Sequence, residues 1–271
     1  MLDCIKRHIK TILFATALMV SIVFVMFWSR ERVEYVDENG ELVTTCARIL
    51  KAEDMLRLTS GTYVVDTDIT LQGTMIIVGD VNLIIADGCT LTIESATGDG
   101  IRAFDEKWNS YKLTIYGQEK QTGKLDIVSA SRGIWCRSLV VNGAQIVCTT
   151  TGWQAIHASD TIHITRGTVT AESSNKHVSA IQGDKNVTIC GGQVTAAGQG
   201  MGISSYQGDI NLGYKSKSDF VFANNFVVYF GNVKISEGQT FSSGKNTYTS
   251  NTEKAMLTGL KEVKLAPAPQ L

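Results

Sequence analysis

Apolar residues recur in a fixed order along the middle of the chain, in three separate registers. In the first register Ile134, Ile156, Ile181 and Ile203 are separated by 22, 25 and 22 residues. In the second register Val141, Ile164, Ile189 and Leu212 are separated by 23, 25 and 23 residues. The third register contains Ile146, Val169 and Val194. Apolar and polar positions alternate within each register, which indicates three short β-strands per repeat.

One such repeat is too thin to bury its apolar side by itself. If each repeat forms a coil that lies about 4.8 Å from the previous one, equivalent apolar residues form continuous columns inside the stack. The pattern therefore predicts an all-β protein, a parallel β-helix with three short strands per coil of about 22–25 residues. A β-sandwich also has short alternating strands, but it does not require three registers to advance together.

The repeat and its flanking sequences divide the chain into further segments. We expect the β-helix at residues 61–245, an N-terminal cap at 45–60, a linker at 29–44, and a C-terminal cap and tail at 246–271. The composition from Thr45 to Leu58 suggests that the N-terminal cap is helical. The coil between Ile101 and Ile134 is longer than the others and contains FDEKWNSY. Insertions of this kind in repeat proteins often lie on the binding face.

The first thirty residues have a different character from the rest. Residues 11–28 contain no charge, and 18 helical residues span roughly 27 Å, close to the thickness of a bilayer core. We expect a transmembrane signal anchor here, with residues 1–10 in the cytoplasm because Lys6, Arg7 and Lys10 precede the apolar segment. This topology would export the remainder to the periplasm or the cell surface. A cleaved signal peptide is the alternative interpretation.

Charge and cysteine content limit the possible partners. The net charge is −1, so the chain has no basic surface for nucleic acid. Two of the six cysteines, Cys136 and Cys148, fall where later repeats carry alanine or glycine. We therefore interpret them as small core residues, not as halves of disulfides.

Several segments resemble one group of proteins. NVTICGGQVTAAGQGMGISS resembles the repeats of bacterial exported right-handed β-helix proteins that are common in gut anaerobes and are often described as carbohydrate-binding domain proteins. The opening coils and the C-terminal end are similar too, so the likeness covers roughly residues 58–266. The resemblance implies an exported domain with affinity for acidic or plant polysaccharide. It also implies a right-handed coil, in keeping with the usual hand of parallel crossover connections.

Candidate chemistry lies on two kinds of side chain. Asp160, Asp184 and Asp209 each precede a strand of the second register at steps of 24 and 25 residues, so we expect them to stack in a row. Such a row could bind calcium, although local turn hydrogen bonds are the simpler role. Trp135 follows the inward-facing Ile134 and should point outward, with His157 in the equivalent place on the next coil. An exposed tryptophan on a rigid strand is a suitable surface for a sugar ring.

These observations predict a membrane-anchored, exported β-helix that binds polysaccharide without cleaving it. The candidate contacts are Trp135, His157, Asp160, Asp184 and Asp209. We expect no catalytic residues and no cofactor, with calcium as the one ion that the aspartates could hold. The motifs of polygalacturonase-like hydrolases are absent from the sequence. Two alternatives stay open: a lyase that acts on acidic glycans, and a structural or adhesive module that recognises a protein.

Overall fold

The chain folds into a β-solenoid. A computed structural model describes residue 12 and residues 30–54, 57–252 and 254–269 of the chain. One short helix, α1 (Lys254–Thr258), lies near the C-terminal end. The strands are β1 (Arg30–Val36), β2 (Leu42–Ile49), β3 (Arg57–Val65), β4 (Ile69–Gln72), β5 (Met75–Ile85), β6 (Thr90–Ser95), β7 (Ile101–Arg102), β8 (Lys112–Gly117), β9 (Lys124–Ser129), β10 (Ile134–Cys136), β11 (Ser138–Thr150), β12 (Ile156–Ala158), β13 (Ile162–Ser173), β14 (Ser179–Gly183), β15 (Val187–Ile189), β16 (Gln193–Gly198), β17 (Met201–Ser205), β18 (Ile210–Leu212), β19 (Phe220–Val228), β20 (Val233–Ile235), β21 (Thr240–Ser243), β22 (Asn246–Thr249) and β23 (Lys261–Pro267).

The strands stack in parallel into a solenoid of about eight turns, as the repeat predicts. On the first face, β7, β10, β12, β14 and β17 pair in sequence and place equivalent residues in one buried column. This column contains Met75, Ile101, Ile134, Ile156, Ile181, Ile203 and Phe226. All of its members are almost completely buried, so the column predicted from the first register is confirmed.

The other two registers form the second and third faces of the same stack. Val141, Ile164, Ile189 and Leu212 align on the second face. Ile146, Val169 and Val194 align on the third face and continue to Val221. Cys148 takes the place of Ala171, and Cys136 takes the place of Ala158, so both are the small core residues that the spacing predicts. Burial raises the pKa of both thiols above their usual range, which keeps them protonated.

Glycines make the tight corners between the second and third faces. Gly167 and Gly192 have φ values of +93° and +85°, a region that other residues adopt at a cost. A Cβ atom on Gly167 would also overlap the carbonyl oxygen of Ala144 on the preceding coil. The spacing between coils therefore depends on these positions having no side chain.

Of the linker expected at residues 29–44, the described part, residues 30–44, is not the free connection that its charged composition suggests. Strands β1 and β2 form an antiparallel hairpin, called here the N-terminal hairpin. The expected helix between Thr45 and Leu58 is wrong, because β2 continues to Ile49 and is followed by a short 3₁₀ turn at Ala52–Asp54. Strand β2 then pairs in parallel with β3, so the hairpin covers the start of the solenoid.

A second, smaller apolar cluster explains why the hairpin docks on the solenoid. Val33 and Ala47 from the hairpin are buried against Val64 and Ile84, which face outward from β3 and β5. Farther along the hairpin, the buried amide of Asn142 donates a hydrogen bond to the carbonyl oxygen of Val36. The hairpin thus shields apolar side chains that would otherwise be exposed on the second face.

At the opposite end, the chain reverses direction and covers the last coil. Strand β23 pairs antiparallel with β19 and with β21, and β21 forms a hairpin with β22. Phe241, Leu257 and Leu265 from these elements are buried. An antiparallel strand at the end of a solenoid blocks the addition of further parallel strands.

The segment expected to cross a membrane, residues 11–28, lies outside the described residues except for Ile12, as does the proposed cytoplasmic stretch at 1–10. Within the part of the chain that is described, no helix has both the length and the apolar character that spanning a membrane requires.

Candidate functional site

The insertion between β7 and β8 forms a tight loop around the carboxylate of Asp105. This carboxylate accepts hydrogen bonds from the backbone amides of Lys107 and Asn109, from the side-chain amide of Asn109 and from the hydroxyl of Tyr111, at 2.8–2.9 Å. These bonds, above all the one from the Asn109 side chain, lower the pKa of Asp105 to about 2. The loop holds Trp108 at φ 63°, an unusual left-handed conformation for a residue with a side chain.

The loop brings two aromatic rings to Trp135 on β10. The ring of Phe104 lies 4.3 Å from the ring of Trp135, and the ring of Trp108 lies 6.0 Å from it, measured between centroids. Trp108 is 72% exposed, whereas Trp135 is half-buried beneath it. A large exposed indole ring usually signals an interaction surface, because burying it would be favourable.

Arg132 connects this cluster with a further tryptophan on the next coil. Its guanidinium carbon lies 4.3 Å from the ring centre of Trp135 and 5.2 Å from that of Trp153. Burial lowers the pKa of Arg132, while Asp99 and Asp184 act in the opposite direction. Its Nε atom is buried and has no hydrogen-bond partner among the described residues. We call Phe104, Trp108, Trp135, Trp153 and Arg132 together the aromatic platform.

A cavity of about 270 Å³ opens beside the platform. Arg57 and Arg102 line it together with Phe104 and Trp108, and Asp105 and Glu106 contribute acidic groups. Arg102 is the neighbour of Trp135 on the preceding coil. The platform therefore borders a concave surface that carries both apolar rings and charged hydrogen-bonding groups, the combination that small-molecule sites usually have.

A polar network follows the platform on the next two coils. His157 and Gln182 occupy the places of Trp135 in the strand register. The Nε2 atom of His157 lies 3.1 Å from Oδ1 of Asp184, which also accepts a hydrogen bond of 2.9 Å from Gln182. Burial alone would raise the pKa of Asp184, but these hydrogen bonds outweigh it, so the pKa is lowered. We call His157, Gln182 and Asp184 the polar network.

The three aspartates do not form the row that their spacing suggests. Asp160 aligns with Lys185, whose ammonium group lies 2.9 Å from it. Asp209 aligns with Asn186 and forms an ion pair with Lys234. Register partners after this turn are 25 residues apart for Ile162 and Val187 but 23 apart for Val187 and Ile210. Steps of 24 and 25 residues therefore place the three aspartates at different positions relative to their strands. Whether any of them binds a ligand stays a prediction.

The described residues contain no group of three or more His, Cys, Asp or Glu side chains that could bind a metal ion. A second cavity, of about 380 Å³, lies at the corner glycines and is lined by Arg166, Lys215 and several polar residues. None of the described residues that line this second cavity is aromatic. It therefore lacks the apolar surface that the aromatic platform offers.

Comparison with known proteins identifies the family. The family model described as carbohydrate-binding domain-containing protein matches residues 38–199. The chain belongs to this family. No curated protein and no solved structure gives a match. The matched region of this carbohydrate-binding family member contains strand β2 of the N-terminal hairpin, the aromatic platform and the polar network.

Sequence reasoning identifies only part of the platform. The outward direction of Trp135, its equivalence to His157 and the position of Trp108 in an insertion all follow from the repeat. Arg132 and Trp153 are not predicted, because both lie in turns where the strand register gives no direction. The sequence nevertheless indicates that both residues lie near the start of the first face. Arg132 immediately precedes the first-register Gly133, and Trp153 lies three residues before the first-register Ile156.

Proposed function

We propose that this protein binds polysaccharide through the aromatic platform and does not cleave it. The observation that carries the proposal is the exposed Trp108 ring, fixed beside Trp135 by the Asp105 hydrogen bonds. Pyranose rings have apolar faces that stack on indole rings and hydroxyl groups that bind nearby polar groups. A rigid ring loses little conformational entropy when it binds, so a fixed Trp108 favours affinity.

Membership of the carbohydrate-binding family supports the same ligand class. The platform adds a reason for expecting a polymer: Phe104, Trp108, Trp135 and Trp153 extend over three successive coils. At about 4.8 Å per coil, such a surface is longer than one sugar ring. Arg132, between two indole rings, could contact ring oxygens or an acidic substituent.

The polar network favours binding over cleavage. Within this network, His157 is the candidate for a general base, but its side chain is only 11% exposed. Its Nε2 atom contacts Asp184, and its Nδ1 atom is buried without a partner among the described residues. A base must reach the proton that it removes, and neither ring nitrogen faces the surface beside the platform.

We also propose the delivery route expected from the N-terminal sequence. The uncharged segment at residues 11–28 would anchor the chain in a membrane, and the β-helix would be exported with the right-handed coil that the resemblance implies. Protease added to intact bacterial cells that produce the full chain, after removal of any outer membrane, should digest the region beyond residue 30. Complete protection of this region would contradict export.

Affinity electrophoresis of the full chain in detergent tests the binding proposal. Gels containing xylan, alginate or polygalacturonate, with and without calcium, should show retardation in at least one polymer. Trp108→Ala should weaken this binding about tenfold, since a central aromatic contact often contributes more than 1 kcal/mol. Val128→Ala is the matched control, because Val128 is 55% exposed on the third face, where its register neighbours are Glu94 and Thr149 and not residues of the platform.

Two results would contradict the proposal. Equal mobility in all polymers and in a polymer-free gel would show that the protein does not bind these glycans. An increase in ultraviolet absorbance during incubation with polygalacturonate or alginate would show the unsaturated ends that a lyase forms, and the protein would then be an enzyme.

A further inference from the structure

Three exposed aromatic side chains form a second cluster near the C-terminal end of the solenoid. The ring of Tyr206 lies 5.4 Å from that of Tyr229 and 5.6 Å from that of Phe230, between centroids. Phe230 is 75% exposed, and both tyrosines are about half exposed. We call these three residues the C-terminal aromatic patch. A group of exposed aromatic rings in mutual contact often marks an interaction surface, because a bound partner would bury the rings.

The patch lies at the edge of the same face as the aromatic platform. The place of Trp135 is taken by His157, Gln182 and Ser204 on the following three coils, and Tyr206 comes two residues after Ser204. Three coils correspond to about 14 Å along the solenoid axis. The two clusters are therefore separated by a distance that an oligosaccharide can span.

The polar network occupies the surface between the two clusters. Asp184 has the same position on its coil as Tyr206 on the next one, because Gly183 pairs with Ser205. Gln182 and Asp184 thus lie between Trp135 on one side and Tyr206 on the other. This order of aromatic, polar and aromatic surface suits a polysaccharide, whose sugar rings have apolar faces and whose rims are covered with hydroxyl groups.

We propose that the C-terminal aromatic patch is a second sugar-binding subsite, which holds the same polysaccharide chain as the aromatic platform. The chain would lie along the solenoid axis and cross the polar network. This inference rests on the proposed function and extends it to a specific direction and a minimum length of ligand.

The size of the patch favours a glycan over a protein partner. A stable protein interface buries about 800 Å² on each partner, and three partly exposed rings provide only part of such an area. Two of the three rings also carry a phenolic hydroxyl, which can bind a sugar hydroxyl while the ring stacks on a sugar face.

Two subsites on one face make affinity depend on chain length. A disaccharide can occupy only one subsite, whereas an octasaccharide can occupy both. Once one end of a long chain is bound, the other end is held at a high effective concentration near the second subsite. Loss of the patch should therefore weaken binding of long chains and leave short chains unaffected.

Binding of xylan and polygalacturonate, and of the disaccharide and octasaccharide of each, to the full-length protein tests this inference. Phe230→Ala combined with Tyr206→Ala should weaken octasaccharide binding about tenfold. The same double variant should bind the disaccharide as the unchanged protein does. Trp108→Ala should weaken both ligands, and Val128→Ala should weaken neither. Thermal unfolding of the double variant should match that of the unchanged protein, because the substituted side chains are exposed.

The possible failures can be told apart. If Trp108→Ala weakens octasaccharide binding and the double variant does not, the patch is not a subsite, although the proposed function stands. If the unchanged protein binds none of these ligands, the proposed function and the second subsite are both wrong. If the double variant instead converts a dimer into a monomer in gel filtration, the patch binds a second copy of the chain and the glycan subsite is refuted.

Discussion

Truncation of one buried isoleucine tests the central claim that the coils share a single apolar interior. Ile181 is completely buried between Ile156 and Ile203, its neighbours in the first-face column. Ile181→Ala removes three carbon groups from this column. Val128→Ala, which also shortens an apolar side chain, changes only an exposed position on the third face.

The expected cost of Ile181→Ala follows from burial and from the rigidity of the column. Three buried carbon groups contribute about 2.4 kcal/mol in transfer free energy. A cavity adds to this loss when the surroundings cannot collapse, and the total for such truncations is about 2–5 kcal/mol. Ile156 and Ile203 belong to strands that are hydrogen-bonded on both sides, so their backbones cannot move into the space. We therefore expect about 4 kcal/mol, in the upper half of this range.

Urea unfolding followed by far-ultraviolet circular dichroism measures this cost. Ile181→Val should cost about 1 kcal/mol, because it removes one carbon group. Val128→Ala should change the free energy of unfolding by less than about 0.5 kcal/mol. The dependence of the unfolding free energy on urea should stay the same in all three variants. A loss for Ile181→Ala that is no larger than the loss for Val128→Ala would refute a shared interior column.

Three further predictions concern the coil spacing, the N-terminal hairpin and the insertion loop. Gly133→Ala should reduce the yield of folded protein sharply, because its Cβ atom would overlap Sγ of Cys148; a yield equal to that of the unchanged protein would contradict the observed packing. Asn142→Ala should cost about 1–3 kcal/mol and accelerate proteolysis of the hairpin, since the amide that binds the Val36 carbonyl is lost; unchanged cleavage rates would show that the hairpin is held elsewhere. The pKa of Asp105 is lowered from 3.8 to about 2, so its stabilisation of the loop is complete above pH 3.8 and is lost as the pH falls through about 2. Tryptophan fluorescence should change over this range, and Asp105→Asn should give the low-pH spectrum at neutral pH.

The interior columns could be predicted because they follow directly from period-two strands. Each coil has to place an apolar residue where the previous coil placed one, so the spacing of Ile134, Ile156 and Ile181 reports their alignment directly. The turns obey no such rule. Asp160, Asp184 and Asp209 are spaced almost evenly in sequence, yet the coils measured just after these turns are 25 and then 23 residues long, so the three aspartates fall out of register.

The docking of the N-terminal hairpin could have been inferred from a sequence feature that does not fit a strict alternation of apolar and polar residues. Consecutive apolar residues, such as Leu83, Ile84 and Ile85, place at least one apolar side chain on the outer surface of a strand. Ile84 is nevertheless completely buried, because the hairpin covers it. Such a run therefore predicts that another segment lies on that face. The charged sequence of β1 conceals its role, because only its inner side is apolar.

The alternation that builds the interior also separates stability from recognition. Ile134 and Ile156 face the column and are constrained by the coils on either side, whereas Trp135 and His157 on the same strands face outward. Replacement of an outward residue leaves the column intact, so binding surfaces can change from coil to coil without loss of the fold. The platform extends this principle, because Trp108 comes from an insertion that leaves the strands β7 and β10 in register. A glycan that lies along the axis would contact these outward positions one coil at a time. The order of the outward residues would therefore determine which sugars the protein prefers.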